Sequence, residues 1–210
     1  MTLLDLPPAQ PGMRIGLFGG SFNPAHEGHR LVALQCLKRL ALDRIWIMVS
    51  PGNPLKDHTD LAPLEHRLSE AVKIMDDPRL VITAFEAQHR LAYTYETIRF
   101  LTETYPDARF VWIMGADSLQ TFDRWEHWEE IANRVPMAVY ARPGTTFRAT
   151  HSVAATALGH ARLPEDKAAT LADAAPPALI PSARAAARVQ GPRSGSQFRL
   201  AGGRQCGHRG

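Results

Sequence analysis

The sequence predicts an α/β fold, a doubly wound parallel sheet with helices on both faces, in a single domain with an atypical C-terminal tail. Three observations carry that prediction. Strand-like and helix-like segments alternate from residue 14 onward. The strand-like segments are apolar throughout rather than at every second residue, which is the pattern of strands buried on both faces. Polar or Gly-rich clusters follow three of the strands: Gly-Gly-Ser-Phe-Asn, Ser-Pro-Gly-Asn-Pro-Leu-Lys and Gly-Ala-Asp-Ser. In a Rossmann-like parallel sheet such clusters collect at one edge, beyond the carboxyl ends of the strands, where ligands bind.

The elements follow in order. Residues 1–13 lack the basic start and long apolar core of a signal peptide, so they are expected to form a loose leader. Arg14–Phe18 is an apolar strand ended by Gly19-Gly20. From Glu27 to Leu40, Leu31, Leu34, Cys36, Leu37 and Leu40 recur at helical spacing. Arg44–Val49 is a second strand, stopped by Ser-Pro-Gly-Asn-Pro. Pro63–Met75 is helical, with its Pro where a missing N–H costs nothing. Leu80–Ile82 is a short strand, Tyr95–Thr104 a helix, and Arg109–Met114 a strand ended by Gly115. Trp125–Asn133 is a short helix, and Met137–Ala141 a fifth strand closed by Arg142-Pro-Gly144.

Beyond Thr150 the composition shifts to Ala, Gly, Arg and Pro, with short helices expected at Ala154–Leu158 and Glu165–Ala172. The domain is expected to span 14–175. Residues 176–210 show neither strand nor helix period and one aromatic, Phe198, so disorder is the expectation for this tail.

The net charge is +3, but it is uneven. Pro177–Gly210 holds six of the 24 basic residues and no acid, leaving residues 1–176 with 18 basic against 21 acidic residues, or −3. The body therefore offers no polyanion-binding surface, and no nucleic-acid partner is expected. No apolar run approaches the ~18 residues of a membrane span, so no membrane partner is expected. Two cysteines, Cys36 and Cys206, make no disulfide framework, and a reducing, cytoplasmic setting is expected.

The chemistry concentrates in Phe18-Gly-Gly-Ser-Phe-Asn-Pro-Ala-His-Glu-Gly-His29. A strand followed by two glycines and a helix start is an anion site, because the backbone can approach a phosphate and the first-turn N–H groups point at it. Gly19, Gly20, Ser21 and Phe22 would form this loop. His26 and His29 fall on one side of the opening turn, and Gly28 between them leaves room for a ligand. Three roles compete for the pair. Zinc would need further ligands that the scattered histidines do not supply, and no metal site is expected. Two surface histidines beside a helix cap are the plainest alternative. Donation to a phosphate whose charge changes during reaction accounts best for the two glycines and two imidazoles together.

Gly19–His29 resembles the H/T-x-G-H signature of the nucleotidyltransferases of small nucleotides. Within these, the chain is similar to the bacterial nicotinate-nucleotide adenylyltransferases. Pro51–Lys56, Tyr93-Thr-Tyr-Glu-Thr97, Ile113-Met-Gly-Ala-Asp-Ser118 and Trp125-Glu-His-Trp128 match the same group in order, and Arg142-Pro-Gly144 follows the fifth strand as it does there. The resemblance covers about Arg14 to Gly144. It implies transfer of the adenylyl group of ATP to nicotinate mononucleotide, giving deamido-NAD and pyrophosphate, with Mg²⁺ bound mainly by the phosphates. His26 and His29 would be catalytic. Lys56, Gly115 and Asp117 would join the glycine loop at ATP. Tyr93, Thr94, Tyr95, Trp125 and Glu126 would hold the mononucleotide, its ring on Trp125 and its carboxylate on the N–H groups of Tyr95 and Glu126. Each has a plainer alternative: a loop lysine for Lys56, a helix N-cap for Asp117, core packing for Trp125.

The resemblance stops before the family's late Ser-Ser/Ala-Thr-x-Ile/Leu-Arg motif, whose Ser, Thr and Arg hold ATP phosphates. Ile180-Pro-Ser-Ala-Arg184 is the nearest fragment and lacks the Thr and the spacing. A shifted reading of a GC-rich gene would give such an acid-free tail. Two alternatives follow: another small-nucleotide transferase, such as a pantetheine-phosphate adenylyltransferase or a cytidylyltransferase, or a nucleotide-binding protein with impaired turnover.

Overall fold

The computed structural model describes residues 2–52, 60–140 and 152–182. Its strands are β1 (Arg14–Gly20), β2 (Arg44–Val49), β3 (Leu80–Thr83), β4 (Arg109–Gly115), β5 (Met137–Tyr140) and β6 (Leu179–Ser182). All pairings are parallel, in the order β3-β2-β1-β4-β5-β6. The chain order reverses at β1, between β2 and β4, so the ends of β1 and β4 flank the crevice that such sheets use for ligands.

The sheet is buried on both faces. In β1, Ile15 and Leu17 join one core while Phe18 joins the other. In β2, Ile45, Ile47 and Val49 face one side and Trp46 and Met48 the other. Uniformly apolar strands are what this two-sided burial requires. Helices α1 (Glu27–Arg39) and α2 (Leu64–Ile74) cover one face. The other is covered by α3 (Phe85–His89), α4 (Thr94–Thr104), α5 (Ala116–Leu119), α6 (Trp128–Arg134) and α7 (Val153–Ala157). Cys36 is a core residue of α1, and burial pushes its thiol up to about 12, far from a reactive thiolate.

The structure differs from the sequence-based expectations in three places. Residues 2–13 are not a loose leader. The Leu3 carbonyl accepts the Ala84 N–H at 2.7 Å, the Asp5 carbonyl accepts the Thr83 hydroxyl at 3.2 Å, and the Pro7 carbonyl accepts the Tyr105 hydroxyl at 3.1 Å. These bonds use carbonyls, which composition does not reveal. The tail is not without regular structure from residue 176, because β6 pairs Leu179 with Met137 and Ile180 with Ala138. Ala178-Leu-Ile180 is too short a run to read as a strand alone, and it is flanked by prolines. The sheet edge supplies the burial, and Pro181 is tolerated because an edge strand needs no second ladder. Residues 183–210 lie outside the described residues. The expected helix at Trp125–Asn133 begins only at Trp128, after a 3₁₀ turn at Phe122–Arg124. The short helix expected at Glu165–Ala172 is present, as a 3₁₀ helix over Glu165–Asp173.

Candidate active site

A cleft of about 310 Å³ opens at the carboxyl ends of β1, β4 and β5. It is lined by the loop Gly19–Pro24, by His26 and His29, by Trp112–Gly115, and by Asp117, Ser118, Trp125 and Tyr140. The chain crosses from β1 into α1 here. Gly19 permits the passage: a Cβ on it would stand 2.9 Å from Trp112 Cη2, inside contact distance. Phe22 takes a left-handed backbone, φ 45°. Its buried ring meets Phe18 edge-on at 5.6 Å and His29 at 5.0 Å.

The two histidines form the start of α1 themselves. His26 is the N-cap, and its Nδ1 accepts the Gly28 N–H at 3.1 Å. His29 Nδ1 accepts the His26 N–H at 3.3 Å, closing a reciprocal cap. The rings stack with centroids 3.8 Å apart. Because both Nδ1 atoms accept, the proton of each neutral ring resides on Nε2. The cap thus fixes the tautomer and turns both rings into Nε2–H donors on the wall of the cleft. Gly28 does not line the cleft. A Cβ there would stand 2.9 Å from the His26 ring, so the glycine makes room for the imidazole rather than for a ligand.

Of the residues expected at ATP, Gly19, Gly20, Ser21, Phe22, His26, His29, Gly115 and Asp117 come together in the lining, and Lys56 lies outside the described residues. Asp117 does not cap its helix. Gly115 occupies the N-cap of α5, and Asp117 is exposed one residue inside it. Trp125 is half-buried and both packs and lines: its ring stands edge-on to Phe122 at 5.4 Å and to Trp112 at 6.3 Å. Trp128 also packs on Phe122, at 5.7 Å. Tyr93, Thr94, Tyr95 and Glu126 are not in the lining. The Tyr95 ring lies 4.4 Å from that of His127, the neighbour of Glu126, and 6.1 Å from that of Tyr93. Tyr93 precedes α4, and its N–H and that of Ala92 donate to Glu96 Oε2 at 3.1 and 2.9 Å. Thr94 and Tyr95 open the helix, where N–H groups have no helical carbonyl behind them. Among the described residues no group of three or more His, Cys, Asp or Glu could hold a metal ion. No helix there is long and apolar enough to cross a membrane.

Sequence reasoning missed Asn23, Ser118, Trp112 and Tyr140. The Asn23 side chain donates to the Asp60 carbonyl at 2.9 Å and accepts the Ala62 N–H at 3.2 Å, tying the glycine loop to the segment before α2. Tyr140 ends β5, so the rule that the strand ends carry the site could have found it.

Residues 17–188 match the model of the cytidylyltransferase-like family, farther along the chain than the quoted motifs reach. A probable nicotinate-nucleotide adenylyltransferase of Methylorubrum extorquens is 50% identical over 182 residues, 87% of this chain and 95% of its own. One of Rhizobium johnstonii, with the same description, is 47% identical over 190 residues, 90% of this chain and 92% of its own.

The chain belongs to the nicotinate-nucleotide adenylyltransferase family.

Solved structures agree on the fold of this adenylyltransferase family member. The nicotinic acid mononucleotide adenylyltransferase of Plasmodium falciparum, complexed with NaAD, superposes with a TM-score of 0.58 at 18% identity, covering 64% of this chain and 67% of its own. A putative nicotinate-nucleotide adenylyltransferase of Vibrio parahaemolyticus gives 0.52 at 22% identity, covering 64% and 77%.

Proposed function

We propose that the chain transfers the adenylyl group of ATP to nicotinate mononucleotide, giving deamido-NAD and pyrophosphate, a step of NAD biosynthesis. The observation that carries the assignment of roles is the doubly capped histidine pair, which presents two Nε2–H donors at a glycine loop and a helix start. An oxygen of the mononucleotide phosphate attacks the α-phosphorus of ATP, and the bond to the β-phosphate oxygen breaks. The nucleophile is already an anion, so no protein base is needed. Catalysis is then positioning and stabilisation of charge on the phosphates. His26 and His29 donate to α- and β-phosphate oxygens, and the Gly19–Phe22 backbone cradles them. Mg²⁺ enters with ATP as part of the substrate. The described lining holds one carboxylate, Asp117, which suits a cation carried by phosphate oxygens. Asp117 is placed to bind nucleotide hydroxyls.

The mononucleotide lies against Trp125, with its carboxylate toward the α4 N-terminus. There Thr94 and Tyr95 open the helix, Tyr95 lies by the Glu126–His127 segment, and first-turn N–H groups favour an anion. Incubating the chain with Mg-ATP and, separately, nicotinate mononucleotide, nicotinamide mononucleotide, phosphopantetheine or CTP with a phosphorylated alcohol tests the assignment. Pyrophosphate release with the first acceptor and much less with the others is expected. ATP binding without turnover on any acceptor contradicts it.

A further inference from the structure

Arg67, in the first half of α2, is 1% exposed. Its guanidinium makes no ion pair among the described residues and donates only to carbonyls. Nε reaches Ala62 at 2.8 Å, one terminal nitrogen reaches Ser21 at 2.8 Å and Ser50 at 2.7 Å, and the other reaches Pro51 at 3.4 Å. A buried cation with only neutral partners is costly, and a packed apolar residue would serve stability at least as well. What those bonds achieve is local. Ser50 and Pro51 follow β2, Ser21 follows β1 and lines the cleft, and one nitrogen joins the two strand ends.

The Ser21 contact has a defined consequence. In a planar trans peptide the carbonyl and the following N–H point in opposite directions. Holding the Ser21 carbonyl toward Arg67 therefore turns the Phe22 N–H the other way. Phe22, on the far side of that peptide, is in the left-handed conformation, which persists only where surroundings over-determine it. The Phe22 ring in turn backs His29. A chain of contacts runs from Arg67 through the Ser21–Phe22 peptide to a catalytic imidazole.

We propose that Arg67 is a positioning residue for adenylyl transfer: its forked bonds to Ser21 and Ser50 aim the Phe22 N–H into the cleft as a phosphate donor and set the ring behind His29. The proposal rests on the adenylyltransferase assignment for its substrate, and Mg-ATP binding tests it without an acceptor. Lysine keeps the charge but not the planar fork. Arg67→Lys is expected to weaken Mg-ATP binding by calorimetry, and kcat/KM for ATP, about 10- to 100-fold, with the KM for nicotinate mononucleotide within about threefold of the parent. Millimolar guanidinium should restore part of the activity of Arg67→Ala, and ammonium should not. A lowered melting temperature with unchanged ATP affinity and kinetics would reduce Arg67 to a structural staple and overturn the proposal. Should both variants fail to fold, the unmodified protein decides. Its Phe22 amide resonance is expected to shift on adding Mg-ATP, and an unmoved amide overturns the proposal. If the parent binds Mg-ATP but makes no deamido-NAD, the assigned reaction fails while these binding results still judge Arg67.

Discussion

Replacing His29 by Asn separates the two jobs of that imidazole. One is structural: Nδ1 accepts the His26 N–H and helps close the start of α1. The other is chemical: the ring lines the cleft, and Nε2–H is the donor left once Nδ1 accepts. Asparagine Oδ1 falls near the position of Nδ1 and keeps the cap, but the side chain is too short to place a donor where Nε2 stands. Keeping the cap preserves a contribution of about 1 kcal/mol. Losing the ring edge against Phe22 costs up to about 1 kcal/mol. Loss of one preorganised donor to developing charge is expected to lower kcat about 10²–10³-fold. His29→Gln, whose amide reaches farther, should recover part of that loss, and His29→Ala should lose both cap and donor. Urea unfolding measures the first job and initial-rate pyrophosphate release the second. A His29→Asn variant within threefold of the parent kcat would refute the donor role. A fall in activity matched by partial unfolding at the assay temperature would assign the residue to the helix start alone.

Three other outcomes are expected. Trp125→Ala should raise the KM for nicotinate mononucleotide more than that for ATP, from a lost stacking face of about 1–3 kcal/mol; equal changes would mark a packing residue. Truncation after residue 175 removes β6 with its buried Leu179 and Ile180, at about 1.5–3 kcal/mol per side chain, and should lower the melting temperature by roughly 10 °C or more; truncation after residue 188, where the family match ends, retains β6 and is the control. Glu86 accepts a 2.8 Å bond from Thr97, and burial raises its carboxyl from 4.5 to about 7. Between those pH values the folded chain holds a proton that the unfolded chain has lost, so this group makes stability fall as pH rises through that window, by at most about 3 kcal/mol. Glu86→Gln should flatten that part of the pH profile in urea unfolding at pH 5 and pH 8, and an unchanged slope would show that Glu86 does not cause it.

The elements legible in sequence are those whose signal is local and long. β1, β2 and β4 stand out as apolar runs with glycine or proline stops, and α1 and α4 by their periodicity. The glycine loop and histidine pair are legible because strand, glycines and helix start are contiguous. What stays hidden depends on distant partners. β6 rests on the short apolar run Ala178–Ile180, which becomes a strand only beside β5. The docking of residues 2–13 rests on carbonyl acceptors. Gly28 reads as room for a ligand because its space is visible along the chain and its occupant, the His26 ring, is not. Arg67 sits in an ordinary amphipathic pattern, and nothing along the chain marks it as the residue that joins two strand ends.

A crystal structure of the chain with deamido-NAD bound is the most direct measurement of the central claim. The account predicts the product's adenylyl phosphate within about 3.2 Å of Nε2 of His26 or His29, the adjoining backbone of Ser21 and Phe22 against the same phosphate, and the nicotinate ring on Trp125. Phosphates seated away from both imidazoles, or rings whose Nδ1 rather than Nε2 faces the ligand, would contradict it.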